Sequence, residues 1–225
     1  MRATRWTIES IMTEKLQAFL VSDRQSSVVV TNERQHTFRA TPSELVEWCL
    51  DINGLTYDWY MEQVKLLFPT EHKLPVLLRF PNATLSLFPT FAKNNEQNEW
   101  IVANAIQNFF SCAVPLEWVW ERETMTQSWK DRSIATIHLH ALRAAEQANE
   151  RDEPTNDCTF IQFSNGRWLL LPISQAAFHR AYTKAIILLK NKKTIHDQAR
   201  SASKRVQRWS LYYKRREFVR DDKNA

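Results

Sequence analysis

The chain has 225 residues, 44% of them hydrophobic, with nine Trp and twelve Phe. That composition excludes a disordered polymer and accommodates one large domain with a real core. The formal charge of +5 is unevenly spread: thirteen Lys/Arg against Asp197 and Glu217 give Arg180–Arg220 a charge of +11, while residues 1–179 carry −5. An acidic body with a basic end predicts a polyanionic partner, nucleic acid or an anionic membrane surface. The three cysteines, Cys49, Cys112 and Cys158, are odd in number and far apart. They predict thiols packed as small hydrophobes in a reducing, cytoplasmic setting. Met1–Ser10 has no apolar core, so no secretory leader is expected. No apolar run reaches the roughly 18–20 residues that span a bilayer, so no membrane-embedded role is expected.

In chain order, Leu16–Val21, Ser27–Thr31 and Gln35–Ala40 are short β-prone stretches separated by polar turns. Thr41-Pro-Ser-Glu44 then forms a capping box ahead of Leu45, Val46, Trp48, Cys49 and Ile52. Asn53-Gly54 predicts a left-handed helix C-cap. Tyr57, Tyr60, Met61, Val64, Leu67 and Phe68 repeat at helical spacing, so a helical hairpin over 42–68 is expected. Leu74–Phe80 and Ala83–Phe88 are strand candidates, and Trp100–Ile106 fits either a strand or a helix. Residues 111–156 predict an inserted subregion with a strand at Ile134–Leu142 and a solvated loop or short helix over Arg143–Pro154. Asn165-Gly166, flanked by Cys158–Ser164 and Arg167–Leu171, is a strong hairpin signal. Ser174 then caps a long helix whose Phe178, Tyr182, Ala185, Ile186 and Leu189 share one stripe. Ile195–Tyr213 predicts a second helix, basic nearly all round.

The expected fold class is α+β: an antiparallel sheet with a helical hairpin, a C-terminal β-hairpin followed by a long helix, and a basic helical tail. The expected division is one unit over 1–192, with an insertion at about 111–156, and the tail over 193–225.

Six blocks in a fixed order resemble the ComK competence transcription factors of Gram-positive bacteria. They are Trp48-Cys49-x4-Gly54-Leu-Thr-Tyr57, His72-Lys-Leu-Pro-Val76, Leu87-Phe-Pro-Thr90, Trp100-Ile101, Phe163-Ser-Asn-Gly166 and Leu171-Pro-Ile-Ser174. The resemblance covers roughly residues 15–106 and 158–192. It departs at Trp59-Tyr60, where the family commonly carries Gly-Arg, and at Asn98, where a cysteine is frequent. It implies a cytoplasmic, nucleoid-associated transcriptional activator of DNA-uptake genes. Such a protein binds paired A/T-rich boxes in double-stranded DNA as a homo-oligomer, through the minor groove.

Candidate DNA contacts are Lys184, Lys190, Lys192, Lys193, Arg200, Lys204, Arg205 and Arg208, with Arg167 on the hairpin. Trp209-Ser-Leu-Tyr-Tyr-Lys214 also resembles the element by which some ComK proteins are held by the MecA adaptor for ClpC-dependent proteolysis. Trp209, Leu211, Tyr212 and Lys214 are therefore candidate adaptor contacts, although docking of the tail on the body through Trp209 and Tyr212 is the favoured reading of those two aromatics. His138 and His140 would share one face of a strand, but no further ligand stands at a metal-binding spacing. No nucleophile–base pattern or Gly-rich phosphate cradle is present, so neither catalysis, nor a cofactor, nor a metal is expected. Two alternatives use the same charge pattern. One is a non-enzymatic protein-interaction or anionic-membrane-surface factor anchored by the tail. The other is an inactive ComK paralogue, given Trp59-Tyr60.

Overall fold

The structure is a computed structural model that describes residues 15–23, 25–71, 73–80, 83–90, 98–120, 129 and 132–191. Strands β1 (Leu16–Asp23), β2 (Ser26–Thr31) and β3 (Gln35–Phe38) form an antiparallel meander. Helices α1 (Pro42–Ile52) and α2 (Tyr57–Lys65) follow, then strands β4 (Val76–Phe80), β5 (Ala83–Thr90) and β6 (Glu99–Val102). A 3₁₀ turn at Ala103–Ala105 leads into β7 (Ile106–Pro115), the short helix α3 (Leu116–Trp120) and the long helix α4 (Ile134–Glu150). The hairpin strands β8 (Thr155–Phe163) and β9 (Trp168–Leu171) and helix α5 (Gln175–Lys190) complete the described chain. The strands form a six-stranded sheet in the order β3-β2-β1-β6-β5-β4 and a three-stranded sheet in the order β7-β8-β9. The architecture is α+β with antiparallel sheets, as the sequence predicts.

Local chemistry explains the helical hairpin. Thr41 accepts a hydrogen bond from the Glu44 backbone N–H, and the Glu44 carboxylate accepts one from the Thr41 N–H. Two orphan donors of the first turn, the Thr41 and Glu44 N–H groups, are thereby satisfied. At the other end Gly54 has φ +73°, and Asn53 Nδ2 donates to the Cys49 carbonyl. Asn53 Oδ1 also accepts from the Arg79 N–H, so the α1 cap is tied to β4. The hairpin covers one face of the large sheet, where Phe19, Trp100, Val102 and Leu87 meet Leu45, Val46, Cys49, Leu50, Tyr60 and Val64.

The opposite face holds the second core. Ala18, Leu20, Phe88 and Ile101 of the large sheet meet Ile161, Phe163, Leu169 and Leu171 of the small sheet, with Phe178 and Ala185 of α5. Adjacent residues Phe19 and Leu20 thus serve opposite layers, as strand alternation requires. Because β1 and β6 are covered on both faces, they read as nearly continuous apolar runs. A third core lies on the outer face of the small sheet, where Phe160, Trp168, Leu170 and Val114 meet Trp129 and Ile137 and Ala141 of α4.

Two sequence expectations change. Ile134–Leu142 is the first half of α4 and not a strand, and the polar run after it continues the same helix to Glu150. Ser133 caps it by accepting from the Thr136 N–H. The β-branched residues suggest a strand, yet the buried positions Ile137, Ala141 and Ala148 fall at helical intervals, and packing on β7 decides. His138 and His140, two residues apart on a helix, therefore point about 200° apart and share no face. His138 instead lies against Phe110, ring centroids 4.7 Å apart. The ambiguous Trp100–Ile106 stretch resolves into the end of β6, the 3₁₀ turn and the first residue of β7. The predicted helix at Ile195–Tyr213 lies outside the described residues.

Tyr60 links the helical hairpin to β4. It is fully buried, and its hydroxyl oxygen accepts from the Leu77 backbone N–H at 2.6 Å. Burial pushes the Tyr60 hydroxyl and the Cys49 thiol well above their ordinary values, against which the Leu77 hydrogen bond only partly lowers Tyr60. The folded state therefore holds these protons more tightly than the unfolded state. Stability present at neutral pH is lost as pH rises past the ordinary thiol and phenol values of about 8.5 and 10. Tyr60→Phe should strand a buried N–H and lower unfolding free energy by about 1–3 kcal/mol. Urea unfolding checks this, with the midpoint falling at an unchanged slope and less further loss than wild type above pH ~10.

Candidate nucleic-acid interface

The β8–β9 hairpin forms as its turn dipeptide predicts. Gly166 sits at φ +78°, its N–H donates to the Phe163 carbonyl at 2.9 Å, and the Phe163 N–H donates to the Arg167 carbonyl at 2.8 Å. A side chain at position 166 would be strained at that φ, so glycine is required by backbone conformation. The hairpin docks on the turn between β2 and β3. Asn165 Nδ2 donates to the Asn32 carbonyl at 2.9 Å, and Arg167 donates from Nη1 to the Thr31 carbonyl and from Nη2 to the Glu33 carbonyl, at 3.3 and 2.9 Å. The turn is braced from behind by Gln17, whose Nε2 donates to Asn32 Oδ1 at 2.8 Å. The Asn32 N–H also donates to the carbonyl of Lys15, itself at φ +60°.

Two loops more than 130 residues apart thus form one platform at the β2–β3 end of the large sheet. Glu33, Arg34, Gln35 and Ser164 are exposed on it. The Arg167 guanidinium is spent on neutral carbonyls, so its charge adds to the local field while its hydrogens hold the two loops together. Nothing in the sequence signals this contact. Thr31-Asn-Glu-Arg34 reads as a turn, but which distant hairpin seats on it is a tertiary matter.

The α5 cations divide by role. Lys184 lies largely buried, with its side chain 12% exposed, and pairs with Glu71 at 2.8 Å. It also donates to the Lys73 carbonyl, tethering α5 to the loop between α2 and β4. Lys190 is exposed in the last turn, a position that also complements the helix dipole. Between α5 and the small sheet runs a groove of about 980 Å³, with Arg180 and His179 on the helix side and Ser111 and Asp157 on the sheet side. Glu71 and Asp157 give this groove mixed charge, unlike the one-signed channel that tracks a phosphate backbone.

The platform and the α5–Glu71 tether sit toward opposite edges of the large sheet, four strand spacings apart from β2 to β4, or about 19 Å. At Trp59-Tyr60, Tyr60 is interior and Trp59 half-buried against the helical-hairpin core. Neither offers a cation there. Lys192, Lys193, Arg200, Lys204, Arg205 and Arg208, and the adaptor candidates Trp209, Leu211, Tyr212 and Lys214, lie outside the described residues. Among the described residues no helix is long and apolar enough to cross a membrane, and no group of three or more His, Cys, Asp or Glu is placed to hold a metal ion.

If Arg167 is the clamp of the platform, Arg167→Ala should cost about 1.5–3 kcal/mol, the range for hydrogen bonds to charged groups. Arg167→Lys should recover less than half, because an ammonium cannot fork across two carbonyls. Denaturant unfolding measures the loss, and faster amide hydrogen exchange over Thr31–Gln35 locates it.

Residues 12–114 match the family model described as ComK protein. No curated protein and no solved structure matches the chain. The matched segment runs from β1 almost to the end of β7 and contains the whole large sheet with its helical hairpin. The Phe163–Gly166 and Leu171–Ser174 blocks lie beyond it, yet both pack on that sheet through the second core.

Proposed function

We propose that this chain, whose residues 12–114 match the ComK family model, is a competence-related transcription factor that activates DNA-uptake genes by binding A/T-rich boxes in double-stranded DNA as a homo-oligomer. The family match over residues 12–114 carries the reading, and the charge distribution supports it. The A/T-tract minor groove is narrow and strongly negative and offers a pattern that separates A·T from G·C pairs. A compact loop element suits approach to it, and the docked hairpin and β2–β3 turn form one that carries Arg34 and Arg167 beside Glu33. The exposed Lys190 and, beyond it, Lys192, Lys193, Arg200, Lys204, Arg205 and Arg208 then supply phosphate contacts, which add affinity and no sequence information.

Division of labour follows from the charge distribution, acidic over residues 1–179 and basic over Arg180–Arg220. The body selects sequence, and the basic residues from Lys192 onward raise the overall affinity. Paired boxes call for two linked copies, since half-sites one or more helical turns apart match a two-fold assembly. Lys184 and Arg167 serve this reading indirectly, Lys184 by seating α5 and Arg167 by shaping the platform.

A mobility-shift titration at two salt concentrations tests the proposal. An A/T-box duplex should bind more tightly than a G/C-rich duplex of equal length at both. Reversing Lys192, Lys193, Lys204 and Arg205 to Glu should weaken binding to both duplexes alike and flatten the log–log salt dependence by about 4. Equal weak binding to both duplexes by the unmutated chain, lost at moderate salt, would leave a nonspecific polycation.

A further inference from the structure

Cys112 in β7 and Cys158 in β8 are directly opposed partners in an antiparallel ladder. Side chains of an opposed pair lie on the same face, and both residues pack in the third core with Phe110, Phe160 and Trp168. The Cα atoms of an opposed pair stand about 4.5 or 5.5 Å apart, according to its place in the hydrogen-bond pattern. Both values lie inside the ~4.4–6.8 Å that a disulfide spans, so the ladder holds the two backbones at a spacing that a disulfide can bridge by rotation of the side chains alone. Both are free thiols in the structure, Cys158 buried and Cys112 half-buried in an edge strand of the small sheet. The third cysteine, Cys49, is fully buried in a different core and has no cysteine near it.

We propose that Cys112 and Cys158 form an oxidisable thiol pair that closes to an intramolecular disulfide when a small-molecule disulfide reaches Cys112. The Cys112 thiolate attacks one sulfur of the oxidant, forms a mixed disulfide and expels the first small thiolate. The Cys158 thiolate then attacks Cys112 Sγ, forms the protein disulfide and expels the second. Two cysteine protons are released and taken up by the two leaving thiolates. Two protein thiols are thus oxidised while one oxidant disulfide is reduced to two thiols. The bond staples β7 to β8 and closes a covalent loop around α3 and α4, bracing the strand that leads into the Asn165-Gly166 hairpin.

The pair is slow by construction. Burial first, then Asp157, raises both thiols, Cys158 to about 12, with the neighbouring Cys112 adding to the rise at Cys158. The thiolate fraction, and with it the rate, therefore climbs with pH. In a reducing compartment such a linkage forms under oxidant load and reverses when reductant returns.

The test uses the full-length reduced protein incubated with oxidised glutathione at mildly alkaline pH, alkylated with N-ethylmaleimide and mapped by mass spectrometry without reduction. A Cys112–Cys158 linked peptide is expected, with Cys49 still a thiol and the chain still monomeric by denaturing non-reducing electrophoresis. In Cys158→Ser the glutathione adduct on Cys112 should accumulate, because no second thiol resolves it. The proposal is overturned if wild type stops at the adduct, forms intermolecular dimers through Cys112, or leaves both thiols free. The wild-type map decides even if a variant fails to fold, and it is independent of any DNA-binding result.

Discussion

Phe178 is the contact on which the arrangement of layers depends. From α5 it meets Phe88 of the large sheet edge-on, with centroids 5.7 Å apart and planes at 77°, and Phe109 of the small sheet at 4.8 Å. Tyr182, one turn later on the same stripe, stacks on Phe178 at 5.7 Å and also meets both phenylalanines. No strand ladder joins the two sheets among the described residues, so beyond the short Ala103–Ala105 connection and the Ser164 N–H bond to the Ala105 carbonyl their relative placement rests on side chains. An aromatic quartet of this kind buries a large apolar area and adds a directional term of about 0.5–1.5 kcal/mol per pair. Ser86 fixes the register of the same helix by donating to the Ala185 carbonyl at 2.7 Å.

The loop platform exists because of that placement. Once the second core seats the small sheet on the large one, the β8–β9 hairpin tip reaches the β2–β3 turn, and Asn165 and Arg167 find carbonyls to bond. The polar clamp is a consequence of apolar packing, and it adds orientation that packing alone would leave loose. Lys184 plays the corresponding part on the other side, where a short ion pair with Glu71 stops α5 from rotating about its aromatic stripe. Cations that look equivalent along the sequence therefore divide into fixed structural ties and exposed charges, and tertiary contact makes the division.

The helical hairpin was legible because its signals are local. A capping box, a Pro at the first helical position and an Asn-Gly stop act within a few residues, and each satisfies backbone groups that no distant partner can reach. The same holds for the Asn165-Gly166 turn and for Ser174 at the start of α5. Helix α4 was less legible. Ile134, Thr136 and Ile137 favour a strand by intrinsic preference, and Leu139 and Leu142 remain exposed, which blurs the apolar stripe. Packing of Ile137 and Ala141 on β7 overrides those preferences. At Tyr60 the helical spacing already marks a buried position, and only the tertiary structure shows that its hydroxyl ties α2 to β4.

What the sequence alone determined is the set of elements with self-contained signals, the α+β class, the ComK resemblance and the two-pole charge. Those properties reside in local backbone chemistry, in composition and in residue order. Tertiary structure alone decided which cations are bound up in ties, which loops combine into a platform and which two of three cysteines face each other. Those depend on contacts between residues tens to more than a hundred positions apart. Such contacts follow from how three apolar cores stack, and periodicity along the chain carries no record of that stacking.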